Sequence, residues 1–172
     1  MSRAILHNYM KQNKIFAYGR HAVRDALLYA PRSLTKVYMD AKMVDTKLRR
    51  QIEEAGVSVA KLSEGMARSD MKSGTAHQGV IGSISIPQLM VPYQKFLDQL
   101  EATPRAMLVL LNGVQDPHNV GAIIRTAAGF GATAVLMPDK GQAPVTGSVI
   151  KVSAGMAFRL PLVSIGSVKQ TV

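Results

Sequence analysis

Residues 107–132 constrain the fold of this 172-residue chain more than any other segment. They begin with an apolar run, 107–111, whose length and composition predict a buried strand. A polar loop follows, and then small and apolar residues predict a helix over 120–130. Asn119 occupies the position where the N-cap of that helix is expected. A strand, a loop and a helix in this order predict one unit of a parallel α/β sheet.

Arg125 is the one charged residue in the predicted helix. Because an unpaired buried charge is very costly, Arg125 must either meet an anionic partner or lie at the exposed edge of the helix. Ligands of parallel sheets bind beyond the carboxyl ends of the strands, where residues 112–119 are expected. Backbone N–H groups in the first turn of the helix would suit a phosphate. The segment predicts a site for an anionic or hydroxyl-bearing ligand, although a solvated arginine or an interface ion pair would also explain Arg125.

Helical and strand patterns alternate in the first half of the chain, which predicts an α/β layered domain. Residues 1–15 are expected to form a loose arm without regular structure. The predicted elements are helices at 20–29, 45–55 and 63–71 and strands at 34–39, 57–62 and 79–86.

Three prolines, Pro87, Pro92 and Pro104, mark the connection between two predicted domains. We expect residues 1–86 to form the first domain, 87–104 to form a linker with a helix starting near Pro92, and 105–172 to form the second domain. Helices between successive apolar strands predict parallel pairing in the second domain. Its predicted elements are strands at 106–111, 133–137 and 160–165 and helices at 120–130, 146–154 and from Ser167 onward.

The net charge of +10 and the isoelectric point near 10.1 favour a polyanionic partner such as nucleic acid. Residues 1–86 hold fourteen Lys or Arg against seven Asp or Glu, so they carry most of the positive field. A basic protein that its charge keeps soluble is the alternative. The chain has no cysteine, and its four histidines lack metal-ligand spacing, so no metal site is predicted. No apolar run approaches the length of a membrane helix, and we expect a cytoplasmic protein without a membrane partner.

The segment that begins at Asp116 resembles the first motif of the SpoU/TrmH family of RNA ribose 2′-O-methyltransferases. Further matches lie at residues 18–27 and 77–80, which resemble the start and the end of the substrate-binding domain of many members, and at 151–155 in the catalytic domain. The residues that match the first motif are Asp116, Pro117, Asn119, Gly121, Ala122, Ile123, Arg125, Thr126, Ala127, Phe130, Gly131 and Ala132.

The resemblance implies a small N-terminal α/β/α RNA-binding sandwich, followed by the first half of a parallel-sheet methyltransferase domain of the knotted type. It also implies that a homodimer transfers a methyl group from S-adenosylmethionine to a ribose 2′-hydroxyl of structured RNA. Ribosomal RNA is expected as the substrate in preference to transfer RNA. The two motifs that build most of the cofactor pocket in the family would follow residue 172. Cofactor-binding residues are therefore expected beyond that position, and the alternative is an RNA-binding fragment without catalysis.

Arg125 and Asn119 are the catalytic residues that the resemblance implies. Since arginine stays protonated, we expect Arg125 to stabilise the developing alkoxide and to grip the adjacent phosphate, and the general base is left open. Asn119 would orient the ribose, the arginine or the loop. Gly121 would let a substrate approach the backbone closely, and His118 would touch the substrate unless it is a plain loop residue. On the helix at 45–55, phosphate contacts are expected from Lys47, Arg49 and Arg50, for which a solvated helix face is the alternative.

Overall fold

The computed structural model describes residues 13–43, 45–63 and 77–171. The first part of the described chain forms a four-stranded sheet with the order β1-β4-β2-β3. Strand β2 runs parallel to β3, whereas β4 runs antiparallel to both of its neighbours. The elements are β1 (Lys14–Tyr18), α1 (Arg20–Tyr29), β2 (Leu34–Met39), α2 (Thr46–Glu54), β3 (Ser58–Lys61) and β4 (Val80–Ser85).

The strand β1 lies partly in the region that the sequence assigns to a loose arm. That prediction is wrong for Lys14 and Ile15, the first two residues of the strand, in which Ile15 and Ala17 are buried against the helices. Only two of its five residues are strongly apolar, so the sequence pattern of a strand is weak here. The strand forms because it pairs with β4. The other strands and helices of this half lie where the patterns predict them, whereas the helix predicted at 63–71 falls largely outside the described residues.

Residues next to helix α2 in the sequence determine where it begins and ends. The Asp45 side chain accepts a hydrogen bond from Leu48 N at 2.9 Å, and so caps the helix. Leu48 and Ile52 are four residues apart and fully buried, which fixes the inward face of the helix. Gly56 follows with φ of 66°, a left-handed conformation that ends the helix.

The remaining chain forms a second four-stranded sheet with the order β5-β8-β7-β6, in which every pairing is parallel. This confirms the parallel α/β architecture that the sequence predicts. The elements are α3 (Ile86–Leu89), β5 (Met90–Pro92), α4 (Tyr93–Gln99), β6 (Leu108–Leu110), α5 (Pro117–Gly129), β7 (Ala134–Pro138), α6 (Gly147–Val152), α7 (Met156–Arg159), β8 (Leu162–Ile165) and α8 (Val168–Thr171).

The predicted linker, 87–104, contains a strand in addition to the helix that was predicted near Pro92. Met90–Pro92 forms the edge strand β5, whose residues pair with those of β8. Three residues that end in a proline carry no alternating pattern, so the strand is set by its long-range partner. The division into the domains 1–86 and 105–172 stays a prediction.

The two sheets share one contiguous hydrophobic core. Helix α6 packs against β1, and helix α7 packs against α1. Gly147 is necessary for the first contact, because a Cβ there would lie 2.6 Å from Phe16 O and 3.2 Å from Tyr18 Cε2. The absence of a side chain at this position brings the start of α6 directly onto the first sheet.

Candidate active site

The carboxyl ends of β6 and β7 carry two loops, 111–116 and 139–146, that are hydrogen-bonded to each other. Gln115 Nε2 donates to Gly141 O at 2.7 Å, and the amide N–H of Val114 donates to Gln142 Oε1 at 3.0 Å. Ala143 N donates to Val114 O at 2.8 Å. The loop that the sequence predicts as a ligand site is therefore a pre-formed part of the sheet edge where parallel α/β proteins bind ligands.

Helix α5 starts three residues earlier than the sequence predicts. Its N-cap is Asp116, whose Oδ1 accepts a hydrogen bond from His118 N at 2.8 Å, and Pro117 occupies the first helical position. Asn119 lies inside the first turn, so its predicted role as N-cap is wrong. An aspartate followed by proline is itself a strong helix start, and this signal in the sequence favoured the earlier position.

The start of α5 is a poor phosphate site for the same reason. Pro117 has no N–H group, the N–H of His118 is bonded to Asp116, and Val120 N donates to Asp116 O at 3.1 Å. The carboxylate of Asp116 already provides the negative charge that the helix dipole favours at this end. Of the backbone donors in this turn, only the N–H of Asn119 has no acceptor among the described residues, so a phosphate near α5 would depend largely on side chains.

Arg125 is exposed to solvent on α5. Among the described residues, no carboxylate forms an ion pair with it. Of the two positions that the sequence allowed, the structure shows the exposed helix edge. A guanidinium without an internal anionic partner remains available to an external phosphate or alkoxide.

His118 and Asn119 are both exposed, but they lie at different angles to Arg125. His118 is seven residues before Arg125, which places both on one face of the helix about 10 Å apart. Asn119 is six residues before Arg125 and is rotated by about 120° from it around the axis. A ligand that Arg125 holds along this face would meet His118 more directly than Asn119.

Gly121 makes the close approach that the sequence predicts, but with another helix. It is buried, and a Cβ there would lie 2.8 Å from the Cβ of Val152 and 3.1 Å from Val149 O. The absent side chain therefore serves the packing of α5 on α6. This contact accounts for the glycine without a substrate.

The three basic residues predicted to contact RNA lie on α2, in the other half of the molecule. Lys47 and Arg49 are exposed. Arg50 is also exposed, and its Nε donates to Glu54 Oε1 at 2.7 Å within the same helix. Their solvated position fits both a phosphate contact and the plain surface role that the sequence left open.

Two polar residues of the sheet edge escaped the sequence analysis. Gln142 is only 5% exposed, and its Nε2 has no acceptor among the described residues. Asp139 follows β7, and its Oδ1 accepts a short hydrogen bond from Ser164 Oγ of β8. Neither residue belongs to a sequence motif, because each is positioned by a hydrogen bond to a segment that is distant along the chain.

Within the described ranges, no group of His, Asp or Glu side chains is arranged to hold a metal ion. The helices of those ranges are also too short or too polar to span a bilayer.

Two protein families match the chain in tandem. Residues 16–90 match the RNA 2′-O ribose methyltransferase substrate-binding family, and residues 106–172 match the SpoU rRNA methylase family. Together with the parallel sheet and the loops at its carboxyl edge, these matches define an α/β protein of the SpoU type. The chain belongs to the SpoU/TrmH family.

Curated relatives include the proteins named 23S rRNA (guanosine-2′-O-)-methyltransferase RlmB of several bacteria. The Bordetella pertussis protein is 34% identical over 160 residues, which cover 89% of this chain and 62% of the relative. The Neisseria meningitidis serogroup B protein is 31% identical over 156 residues, covering 90% and 62%. The chain thus spans less than two thirds of the length of these relatives.

Solved structures confirm the fold. The SpoU methyltransferase AviRb from Streptomyces viridochromogenes, solved with AdoMet, superimposes with a TM-score of 0.74 at 18% identity, covering 99% of this chain and 61% of that one. An AdoMet-bound rRNA methyltransferase from Sinorhizobium meliloti gives a TM-score of 0.66 at 21% identity, covering 94% and 61%.

Proposed function

We propose that the protein methylates a ribose 2′-hydroxyl of structured RNA, with S-adenosylmethionine as the methyl donor. Ribosomal RNA is the proposed substrate. The observation that carries the proposal is the position of Arg125, which is exposed and has no ion pair among the described residues, on the helix that follows the pre-formed loop 111–116 at the carboxyl edge of the parallel sheet. The family and the names of the curated relatives support the same reaction and the same class of RNA.

Arg125 would act by charge. Its planar guanidinium can hold a phosphate oxygen with one N–H group and stabilise the attacking 2′-oxygen with another as that oxygen loses its proton. Because arginine stays protonated at neutral pH, the proton passes to another acceptor. Asn119 and His118, exposed on the first turn of the same helix, would orient the ribose and the loop.

The sheet edge fits a polar cofactor in one respect. Gln142 Nε2 is a buried donor without an acceptor among the described residues, and buried donors of this kind are normally satisfied by a ligand, by water or by another segment of chain. Bound S-adenosylmethionine would supply an electrophilic methyl group on a sulfonium.

The complete protein would act as a homodimer, as the family resemblance implies. Phe130, at the end of α5, is 76% exposed, and Ala122 and Gly129 on the same helix are exposed as well. Because single apolar residues are common on protein surfaces, the expectation of a homodimer rests on the family resemblance. The cytoplasmic location predicted from the sequence stays a prediction.

The proposal is tested on the protein expressed from its complete reading frame. Incubation with methyl-labelled S-adenosylmethionine and ribosomal RNA should place label on RNA, and nuclease digestion should recover it as a 2′-O-methyl nucleotide. RNA binding should weaken steeply with salt, because phosphate contacts release counterions. Label on a base, or RNA binding without any methyl transfer, would contradict the proposed reaction, and the second result would favour a binding protein without catalysis.

A further inference from the structure

The first sheet has one face that α1 and α2 do not cover. Lys14, Phe16 and Tyr18 alternate along β1 with the buried Ile15 and Ala17, so their side chains lie on the opposite face. On β2, Lys36 and Tyr38 alternate in the same way with buried Val37 and Met39.

Strand pairing brings these residues together across the central strand β4. Phe16 and Lys36 both lie opposite Ser83, one from each side, and Tyr18 and Tyr38 both lie opposite Ile81. The rings of Phe16 and Tyr38 form an edge-to-face contact with centroids 6.3 Å apart. The ammonium of Lys36 lies 5.5 Å from the centroid of the Tyr38 ring. We call Lys14, Phe16, Lys36 and Tyr38 the aromatic–lysine face.

The charge of this face is one-sided. Lys14 and Lys36 belong to this face, whereas Lys61 pairs with Met39 on the opposite face, and the four strands of the sheet contain no acidic residue. Lys14 is exposed, and Phe16, Lys36 and Tyr38 keep part of their surface accessible. Aromatic rings beside ammonium groups offer a stacking surface for a base and a charge for the phosphate that follows it, which is how many proteins hold unpaired nucleotides.

The face continues toward the candidate active site. Gly147, the first residue of α6, lies directly on Phe16 and Tyr18 of β1. The loop 139–146 precedes Gly147, and it is hydrogen-bonded to the loop 111–116 that leads into α5 and Arg125. A strand of RNA lying on the first sheet could therefore reach the edge of the second sheet without leaving the protein surface.

We propose that the aromatic–lysine face binds an unpaired stretch of RNA by stacking bases on Phe16 and Tyr38, with Lys14 and Lys36 holding the adjacent phosphates. This inference rests on the proposed function, because it assigns part of the RNA affinity to a particular surface. It differs from a contact through Lys47, Arg49 and Arg50, which lie on α2, one of the two helices that cover the opposite face of the sheet.

The test measures binding of a fluorescent single-stranded oligoribonucleotide by anisotropy. Tyr38→Leu should weaken binding about tenfold, since it removes a stacking ring while keeping apolar bulk over Ile81. Tyr38→Phe keeps the ring and should bind within about twofold of the wild type. Leu28→Ala removes a 63% exposed apolar side chain from α1, outside the aromatic–lysine face, and serves as the control.

Crosslinking of the unmodified protein to an oligonucleotide carrying 4-thiouridine makes the test independent of any variant. Adducts should map to peptides of β1 and β2 that contain Phe16 or Tyr38. Adducts confined to α2, or equal affinities of Tyr38→Leu and Tyr38→Phe, would overturn the proposed face while leaving RNA binding intact. Failure to bind any RNA would overturn the proposed function together with it.

Discussion

Asp25 and Arg159 are 134 residues apart in the sequence, and their side chains form an ion pair in which Arg159 Nη2 lies 2.8 Å from Asp25 Oδ1. Arg159 also stacks on the ring of Tyr29, with its guanidinium carbon 4.2 Å from the centroid. The hydrogen bond with Asp25 raises the pKa of Arg159 above its ordinary value. The pair links α1 of the first half to α7 of the second, and Gly155 lies directly against the same carboxylate.

Gly155→Ala should destabilise the protein by about 1–3 kcal/mol. Gly155 has φ of 80°, and an added Cβ would overlap Asp25 Oδ2, so both the backbone and the contact between the halves resist a side chain. Chemical denaturation measures the change. Gly129→Ala is the control, because nothing lies within 4 Å of its Cβ position, and it should be neutral or slightly stabilising. Equal stability of the two variants would show that the contact at Asp25 is dispensable.

Gly121→Ala should lower stability by about 1–3 kcal/mol through overpacking against Val152. Val152→Ala in the same protein should recover part of that loss, because it removes the atoms that the new methyl group meets. Thermal unfolding of the single and double variants gives the coupling, with Ala122→Ser on the exposed side of α5 as a control. If Gly121→Ala keeps full stability yet loses RNA binding, the glycine serves a ligand, as the sequence analysis expected.

Arg125→Ala should reduce methyl transfer by about 10²–10³ in the complete protein, because one pre-organised donor to the developing charge is lost. RNA binding should weaken much less than the rate, since the loss of one phosphate contact is small beside the loss of stabilisation of the charge that appears as the 2′-oxygen attacks. Arg125→Lys should not restore the rate, because an ammonium cannot reproduce the two-pronged grip of the guanidinium. Single-turnover rates and RNA dissociation constants, measured side by side, check this. An Arg125→Ala protein with the wild-type rate would refute the assigned role.

Asp45 makes stability depend on pH in the acid range. Its carboxylate accepts the hydrogen bond from Leu48 N and lies near two guanidiniums, with Arg24 Nη2 at 2.8 Å and Arg20 Nη1 at 3.9 Å. The backbone hydrogen bond, followed by these charges, holds the pKa of Asp45 below its ordinary value. The stabilisation is therefore complete above the unfolded pKa of about 4 and is lost as the pH falls through the lower folded value.

Asp45→Asn should accordingly lower the Tm at pH 7, and the difference from the wild type should shrink below about pH 4. Melting curves recorded from pH 7 to pH 3 measure the effect. Asp98→Asn, an exposed substitution on α4, should differ little from the wild type at any pH in this range. A constant Tm difference for Asp45→Asn across the whole range would contradict the linkage.

Much of this molecule was predictable from local pattern. The strand Leu34–Met39 and the helix Arg20–Tyr29 lie where the periodicity places them, because side chains at the matching period must face one core. The parallel order of the second sheet follows from helices between apolar runs. The motif around Arg125 identified the family for a similar reason, since its residues are contiguous and their types are distinctive.

Tertiary structure alone decided the features that join distant segments. The strand Met90–Pro92 exists because β8 pairs with it, and Gly121 is fixed by Val152 of another helix. A sequence records which residues are apolar, small or charged, and so it determined the elements and the candidate catalytic helix. It does not record which surfaces meet, because that depends on packing between residues as far apart as Asp25 and Arg159.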